Sequence, residues 1–177
     1  MHIPAERYDR RTIALHWISA ALILLMWGGA HAIDWFPRGP LRVDARSVHI
    51  VTGCALVAII AYRLVWRISG GVAIDHSGAT LDRLAKAGHW LLYATVIAVL
   101  LLGLFNTWVR GDDLFGLAHI PQYGHLDAAS RHLLANQIVS WHRLAANGIL
   151  ILASGHALTA LYHRLALRDG VLSRMLP

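Results

Sequence analysis

The sequence predicts an all-α fold, a four-helix transmembrane bundle, and three observations carry that prediction. Hydrophobic residues make up 56% of the 177-residue chain and charged residues only 15%, whereas a soluble domain carries about 25% charge to cover its surface. The mean hydropathy is +0.49, too apolar for a disordered chain, so most of the outer surface faces lipid. The apolar residues also fall into four runs, each long enough to cross a hydrocarbon core of about 30 Å.

The first run, residues 13–33, contains no Lys, Arg, Asp or Glu. Pro37, Arg38, Gly39 and Pro40 break the chain after it. The second covers residues 47–66, with Arg63 near enough to its end to snorkel, and Ser69, Gly70 and Gly71 close it. The third is 87–109. Residues 110–131 then form the longest loop, punctuated by Gly111, Gly116, Pro121 and Gly124. The fourth is 138–165, with Arg143 near its start and Arg164 near its finish. No internal repeat stands out, and the whole of 1–177 reads as one transmembrane domain. The first run is followed at once by further ones, which does not fit a cleaved secretory signal.

Charge gives the bundle a direction. Of 16 basic residues only Lys86 is a lysine. With the N-terminus in the cytoplasm, Arg7, Arg10, Arg11, Arg63, Arg67, Arg83, Lys86, Arg164, Arg168 and Arg174 lie inside. Arg38, Arg42, Arg46, Arg110, Arg131 and Arg143 lie outside. Ten against six favours both termini in the cytoplasm of a bacterial inner membrane. Trp17, Trp66 and Trp90 near the inner ends and Trp35, Trp108 and Trp141 near the outer ends agree; Trp27 falls outside both belts and is expected to pack on a neighbouring helix. The basic residues flank apolar runs instead of forming a stripe, which excludes a nucleic-acid module. The single Cys54 excludes an intrachain disulfide, a CxxC pair and a c-type haem attachment.

Twelve histidines remain to be explained. An ionisable side chain inside a span is costly and by default marks function. His16 lies just inside the inner end of the first span and His49 just inside the outer end of the second. The fourth carries His142 near its outer end and His156 fourteen residues later, a rise of about 21 Å with a rotation of only about 40°. Two pairs therefore match in depth: His49 with His142, and His16 with His156. A b-type haem between two helices needs this arrangement, and two axial histidines saturate the iron, which suits electron transfer. Gly53, Gly148 and Gly155 near these ligands leave room for a porphyrin plane. A lone histidine could equally bond a neighbouring helix; four at matching depths favour ligands. Zinc or copper fits less well, because the nitrogens fall at two depths instead of one centre.

Depth alone leaves His163 and His89 as rivals for the inner site, as ligands or as hydrogen-bond partners of a haem propionate or a quinone headgroup. His119, His125 and His132 read as solvated loop residues, His2 and His76 as loop residues, and His31 as interfacial.

These residues resemble the prokaryotic cytochrome b561 family of four-helix di-haem membrane cytochromes. The resemblance runs from Arg7 and Tyr8 through Leu15, His16 and Trp17, then Phe36, Pro37 and Arg38. It continues through His49, Ile50, Val51, Thr52 and Gly53 to Arg63, Leu64, Val65, Trp66 and Arg67. Gly88, His89, Trp90, Leu91, Leu92 and Tyr93 follow in the third span, and His142, Asn147 and His156 in the fourth, down to the tail ending in Pro177. One departure is the absence of the proline that some relatives carry in the third span.

The resemblance implies that His16, His49, His142 and His156 ligate two b haems, and it favours His156 over His163. Members of the family pass electrons between quinone and a second partner, and the chain is similar to the superoxide oxidases among them. That implies an oxidoreductase carrying electrons from periplasmic superoxide to ubiquinone. Arg38, Arg42 and Arg46 could attract a small anion, although the outer segments, with six Arg against Asp34, Asp44, Asp112, Asp113 and Asp127, sum to only +1. Arg63 and Arg67 are candidates to pair with haem propionates. The alternative is a non-enzymatic cytochrome subunit docked on a periplasmic dehydrogenase or hydrogenase, disfavoured by the short outer segment between the first two spans. A haem-free scaffold or transporter would leave the four histidines unexplained.

Overall fold

The computed structural model describes residues 7–70 and 80–177, the side chains of 80–82 excepted. Gly71, His2 and His76 lie outside the described residues. Four long helices dominate: α1 (Arg10–Ile33), α2 (Pro40–Ser69), α3 (Thr80–Arg110) and α4 (Ala128–Tyr162). All four are long and apolar enough to cross a membrane.

Local chemistry sets their ends. Asp9 caps α1 by accepting from the Thr12 amide at 2.9 Å, and Asp127 caps α4 by accepting from the Ser130 amide at 2.9 Å. Pro40 opens α2, where its missing N–H costs nothing. Inside the spans, Ser19, Thr95, Ser140 and Thr159 return their hydroxyls to the carbonyl four residues earlier. That satisfies a polar group where no water is available.

All four helices begin earlier than hydropathy indicates, α1 by three residues and α3, as far as it is described, by seven. α2 starts at Pro40, seven residues before 47, and α4 at Ala128, ten before 138. Hydropathy reports where lipid begins, whereas capping and proline decide where the helix begins. His132 accordingly sits on α4, not in a loop. The connection between α3 and α4 also contains a small hairpin, β1 (Asp113–Leu114) against β2 (Ala118–His119), which the sequence reading did not foresee. Its three-residue connection places Phe115 at φ 55° and Gly116 at φ 67°, the left-handed pair at the centre of a type I′ turn, closed by the Leu117 amide donating to the Leu114 carbonyl at 2.9 Å. Fully buried Ser47 pins it to α2, accepting from the Phe115 amide at 3.0 Å and donating to the Asp113 carbonyl at 3.2 Å. At Gly111 (φ 64°) a Cβ would meet Gln122 Cγ at 2.3 Å, so only glycine fits there.

The bundle is two helical hairpins. α1 packs along α2 and α3 along α4, while α2 and α3 touch more sparsely. Leu56 and Ile60 of α2, Val96 of α3 and Ile149 of α4 form the buried centre, with Leu22, Ile23 and Met26 of α1 against it. A second cluster joins Val109 to Ala135 and Ile138. Few other apolar residues are buried; Leu25 is 69% and Ile151 73% exposed, as expected of side chains whose solvent is lipid. Helix association then rests on packing and polar links rather than on water exclusion. Trp27 supplies one such link, donating its indole N–H to Asn147 Oδ1 of α4 at 2.9 Å.

The start of the described chain and its C-terminal tail meet at one end of the bundle, here the terminal end. The Tyr8 amide donates to the Arg174 carbonyl at 3.3 Å, and the Trp17 indole to the Met175 carbonyl at 2.8 Å. After α4, a π-helical turn (His163–Leu167) and a 3₁₀ turn (Leu172–Arg174) lead the tail back across the start of α1.

Candidate functional site: two imidazole pairs across the bundle

The four histidines form two inter-helix pairs. At the distal end, His49 of α2 faces His142 of α4 with ring centres 6.3 Å apart. At the terminal end, His16 of α1 faces His156 of α4 at 6.2 Å. An imidazole nitrogen binds a first-row metal at about 2 Å and its ring centre lies about 1 Å behind it, so two rings across one ion stand about 6 Å apart. Both pairs meet that spacing. Among the described residues no group of three or more His, Cys, Asp or Glu could hold a metal ion alone. The donor set at each pair therefore suits a metal already held by a planar macrocycle.

The distal pair borders a cavity of about 470 Å³, within the ordinary range of cofactor pockets, about 300–1,000 Å³. Gly53, Gly103, Trp27 and Asn147 line it along with the histidines. Gly103 permits a close approach: a Cβ there would lie 3.1 Å from His142 Cε1, a few tenths of an ångström nearer than an ordinary contact. His142 Nδ1 donates to the Val99 carbonyl at 2.9 Å. A carbonyl only accepts, so the hydrogen is on Nδ1 and the Nε2 lone pair is left for a metal. At the rim, Asp34 bridges Arg42 and Arg143, the latter at 3.0 Å. Nearby, buried Asp112 bridges Arg46 and Arg110, each at 3.2 Å.

The terminal pair is oriented by a cation. Arg63 donates to His16 Nδ1 at 3.0 Å. The Arg63 guanidinium also stacks on Tyr93 at 5.4 Å, and Arg67 lies over the same ring at 5.9 Å. His89 adds a third imidazole, 5.2 Å from His156. His163 instead turns to Asp169. All six residues singled out from the sequence thus gather at the two pairs: His49 and His142 at one, His16, His156, Arg63 and Arg67 at the other. Of the three glycines noted, Gly53 lines the distal cavity, and Gly148 and Gly155 have open space where a Cβ would stand. Missed by the sequence reading were Gly103, the Val99 carbonyl and the rim role of Asp34; a glycine amid the apolar third span was the one available signal.

The sequence profile of the prokaryotic cytochrome b561 family matches residues 7–177. The chain belongs to that family. It is a membrane electron-transfer protein of bacterial type, and the family implies haem b. Among curated relatives, it is 26% identical to the probable superoxide oxidase CybB of Yersinia pestis over 97% of both chains. It is also 26% identical to cytochrome b561 homolog 1 of Escherichia coli K12, over 97% of this chain and 98% of that one. Cytochrome b562 of Cereibacter sphaeroides is 29% identical over 96% of this chain and 94% of its own.

Proposed function

We propose that His49 with His142, and His16 with His156, are the axial ligands of two b haems, and that the chain carries electrons from superoxide to ubiquinone. The observation that carries this reading is the pair of ring separations, 6.3 and 6.2 Å, at opposite ends of one bundle. Haem b, when bound, supplies a one-electron couple at each end. The protein's own part is to hold and orient. Val99 fixes the tautomer of His142, and Gly103 gives its ring room. A metal on His16 Nε2 places the hydrogen on Nδ1, which frees the Arg63 fork from that nitrogen and leaves it, with Arg67, for a propionate. The turn of His163 toward Asp169 supports His156 as the terminal ligand.

The balance of the reaction is simple. Each superoxide gives one electron and becomes dioxygen; two such electrons with two protons convert ubiquinone to ubiquinol. The excess of arginine at the terminal end supports cytoplasmic termini, with superoxide arriving at the distal end. The second reading, a subunit docked on a periplasmic dehydrogenase or hydrogenase, gains from the structure: the early start of α2 and the hairpin enlarge the distal surface beyond what the sequence suggested.

The test is spectroscopic. Purified protein should contain two haems per chain with a split low-spin α-band, and rapid mixing with superoxide should reduce them. Fewer than two haems sinks the ligand reading. Two haems that a soluble dehydrogenase reduces and superoxide does not would establish the docked subunit instead.

A further inference from the structure

The cavity at the distal pair is apolar at one end and polar at the other. Ile23, Met26, Leu56 and Ile149 wall it toward the bundle's centre. His31, Asp34 and Arg143 line its mouth, where α1 ends and α4 carries His142. A b haem has the same asymmetry, an apolar macrocycle with two carboxylates on a single edge. A carboxylate turned toward the bundle's centre would be buried without a partner, which is costly, so the propionate edge belongs at the mouth.

Arg143 is the only Arg or Lys among the described residues lining this cavity. It follows His142 by one residue, about 100° round the helix. A side chain so placed beside an axial ligand reaches past the edge of a macrocycle and not over its face. One donor of its guanidinium is engaged, Nη2 to Asp34 at 3.0 Å, and the rest of the fork makes no hydrogen bond among the described residues. Asp34 also accepts from Arg42, whose Nε is buried without a partner among the described residues. Two arginines on one carboxylate leave a charge of +1 and an orphaned donor, so the cluster is short of one acceptor. The Arg46–Asp112–Arg110 cluster carries the same charge but lines no part of the cavity.

We infer that Arg143 anchors a propionate of the haem held by His49 and His142, so that this haem lies with its carboxylate edge at the mouth between α1 and α4. This rests on the ligand reading above. The open side of the Arg143 fork takes the propionate, which brings the Asp34 cluster to neutrality. The Asp34 bridge is kept, because a guanidinium has donors for both carboxylates. The apolar edge of the macrocycle then faces Leu56 and Ile149, where no polar partner is needed.

The test is the rate of haem loss to excess apomyoglobin, followed by absorbance. Protein made under haem limitation is loaded with natural haem or with its dimethyl ester, which lacks both carboxylates. His156→Ala, expected to keep the distal haem alone, serves as the parent. Arg143→Gln should speed the loss of natural haem about tenfold or more, as expected when a charge-assisted bond is removed. Arg143→Lys should restore part of that, keeping the charge without the fork. The ester should leave the parent and Arg143→Gln at one common rate. Arg110→Gln removes an equal charge from the same end, away from the cavity, and should change neither rate. The inference is overturned if Arg143→Gln leaves natural haem unaffected, if it speeds the ester equally, or if Arg110→Gln matches it. Should His156→Ala lose both haems, wild type carries the test: Arg143→Gln should then speed one of two kinetic phases, and speeding both or neither overturns the inference. A wild-type count below two haems would instead fail the ligand reading itself, a distinguishable result.

Discussion

A glycine-to-alanine change inside a helix ordinarily stabilises it, by about 1 kcal/mol. At Gly103 the sign of the outcome reverses, because the added Cβ stands 3.1 Å from His142 Cε1 and the ring is already fixed by its bond to Val99. The ring has to give by a few tenths of an ångström, which disturbs its 6.3 Å separation from His49. Gly103→Ala should therefore insert with wild-type yield yet hold one haem in place of two; an unchanged haem count would show that the ring tolerates the methyl group. The rival histidines give a second residue-scale prediction. His156→Ala should lose one haem and His163→Ala neither, and the reverse would move the terminal ligand about two turns on, past the end of α4 into the π-helical turn. Much at this scale was legible beforehand. The four histidines stand out because an imidazole in a span needs a reason, and a fourteen-residue spacing returns to nearly one helix face. Gly103 and Asp34 were not legible, since their roles depend on which neighbour approaches them across the bundle, and that is a property of helix rotation, not of local sequence.

At the scale of elements, the apolar runs located every span, but not where the helices begin. Arg42, Asp44 and Arg46 are helical although they lie outside the apolar run, because Pro40 starts α2 and nothing stops it before Ser69. The tail is a clearer case of structure beyond pattern. Arg7 donates to the Leu176 carbonyl at 2.9 Å, and Asp169 joins the tail to His163 while accepting from the Val171 amide at 3.2 Å. The His163 hydrogen bond, more than any other contact, holds the Asp169 carboxyl below its usual range. A depressed carboxyl contributes stability that is complete above the unfolded value, about 3.9, and is lost as pH falls through the folded one. The pair is partly exposed, so screening confines the effect to the tail and spares the helices. Protection of the Val171 amide against hydrogen exchange should persist at mildly acidic pH and decline progressively once the pH falls below about 4. Equal protection on both sides of that range would remove Asp169 from the tail's support.

For the whole molecule, the two hairpins pose a problem that the ligand pairs answer. α1 with α2, and α3 with α4, pack along their lengths, and lipid is as good a solvent for their outer faces as another helix would be. Between the hairpins stand the Leu56–Ile149 cluster, the Trp27–Asn147 bond, the Asp34–Arg143 and Arg46–Asp112 bridges and the Ser47 bonds to the β-hairpin. Each proposed ligand pair also crosses this divide, His49 and His16 from the first hairpin meeting His142 and His156 from the second. A group bound by both halves stabilises the assembled state alone, by about 4 kcal/mol when present at a thousand times its dissociation constant. Bound haem should therefore hold the hairpins together as well as supply the redox couple. Protein made under haem limitation should unfold at a distinctly lower temperature than holoprotein. His142→Ala with His156→Ala should destabilise beyond the sum of the single changes, because either remaining haem still spans the gap. Thermal unfolding followed by tryptophan fluorescence reads both effects, Trp27 lying at the divide. Equal unfolding temperatures with and without haem would mean that the buried cluster and the polar links suffice to join the halves, and that the histidine pairs serve electron transfer alone.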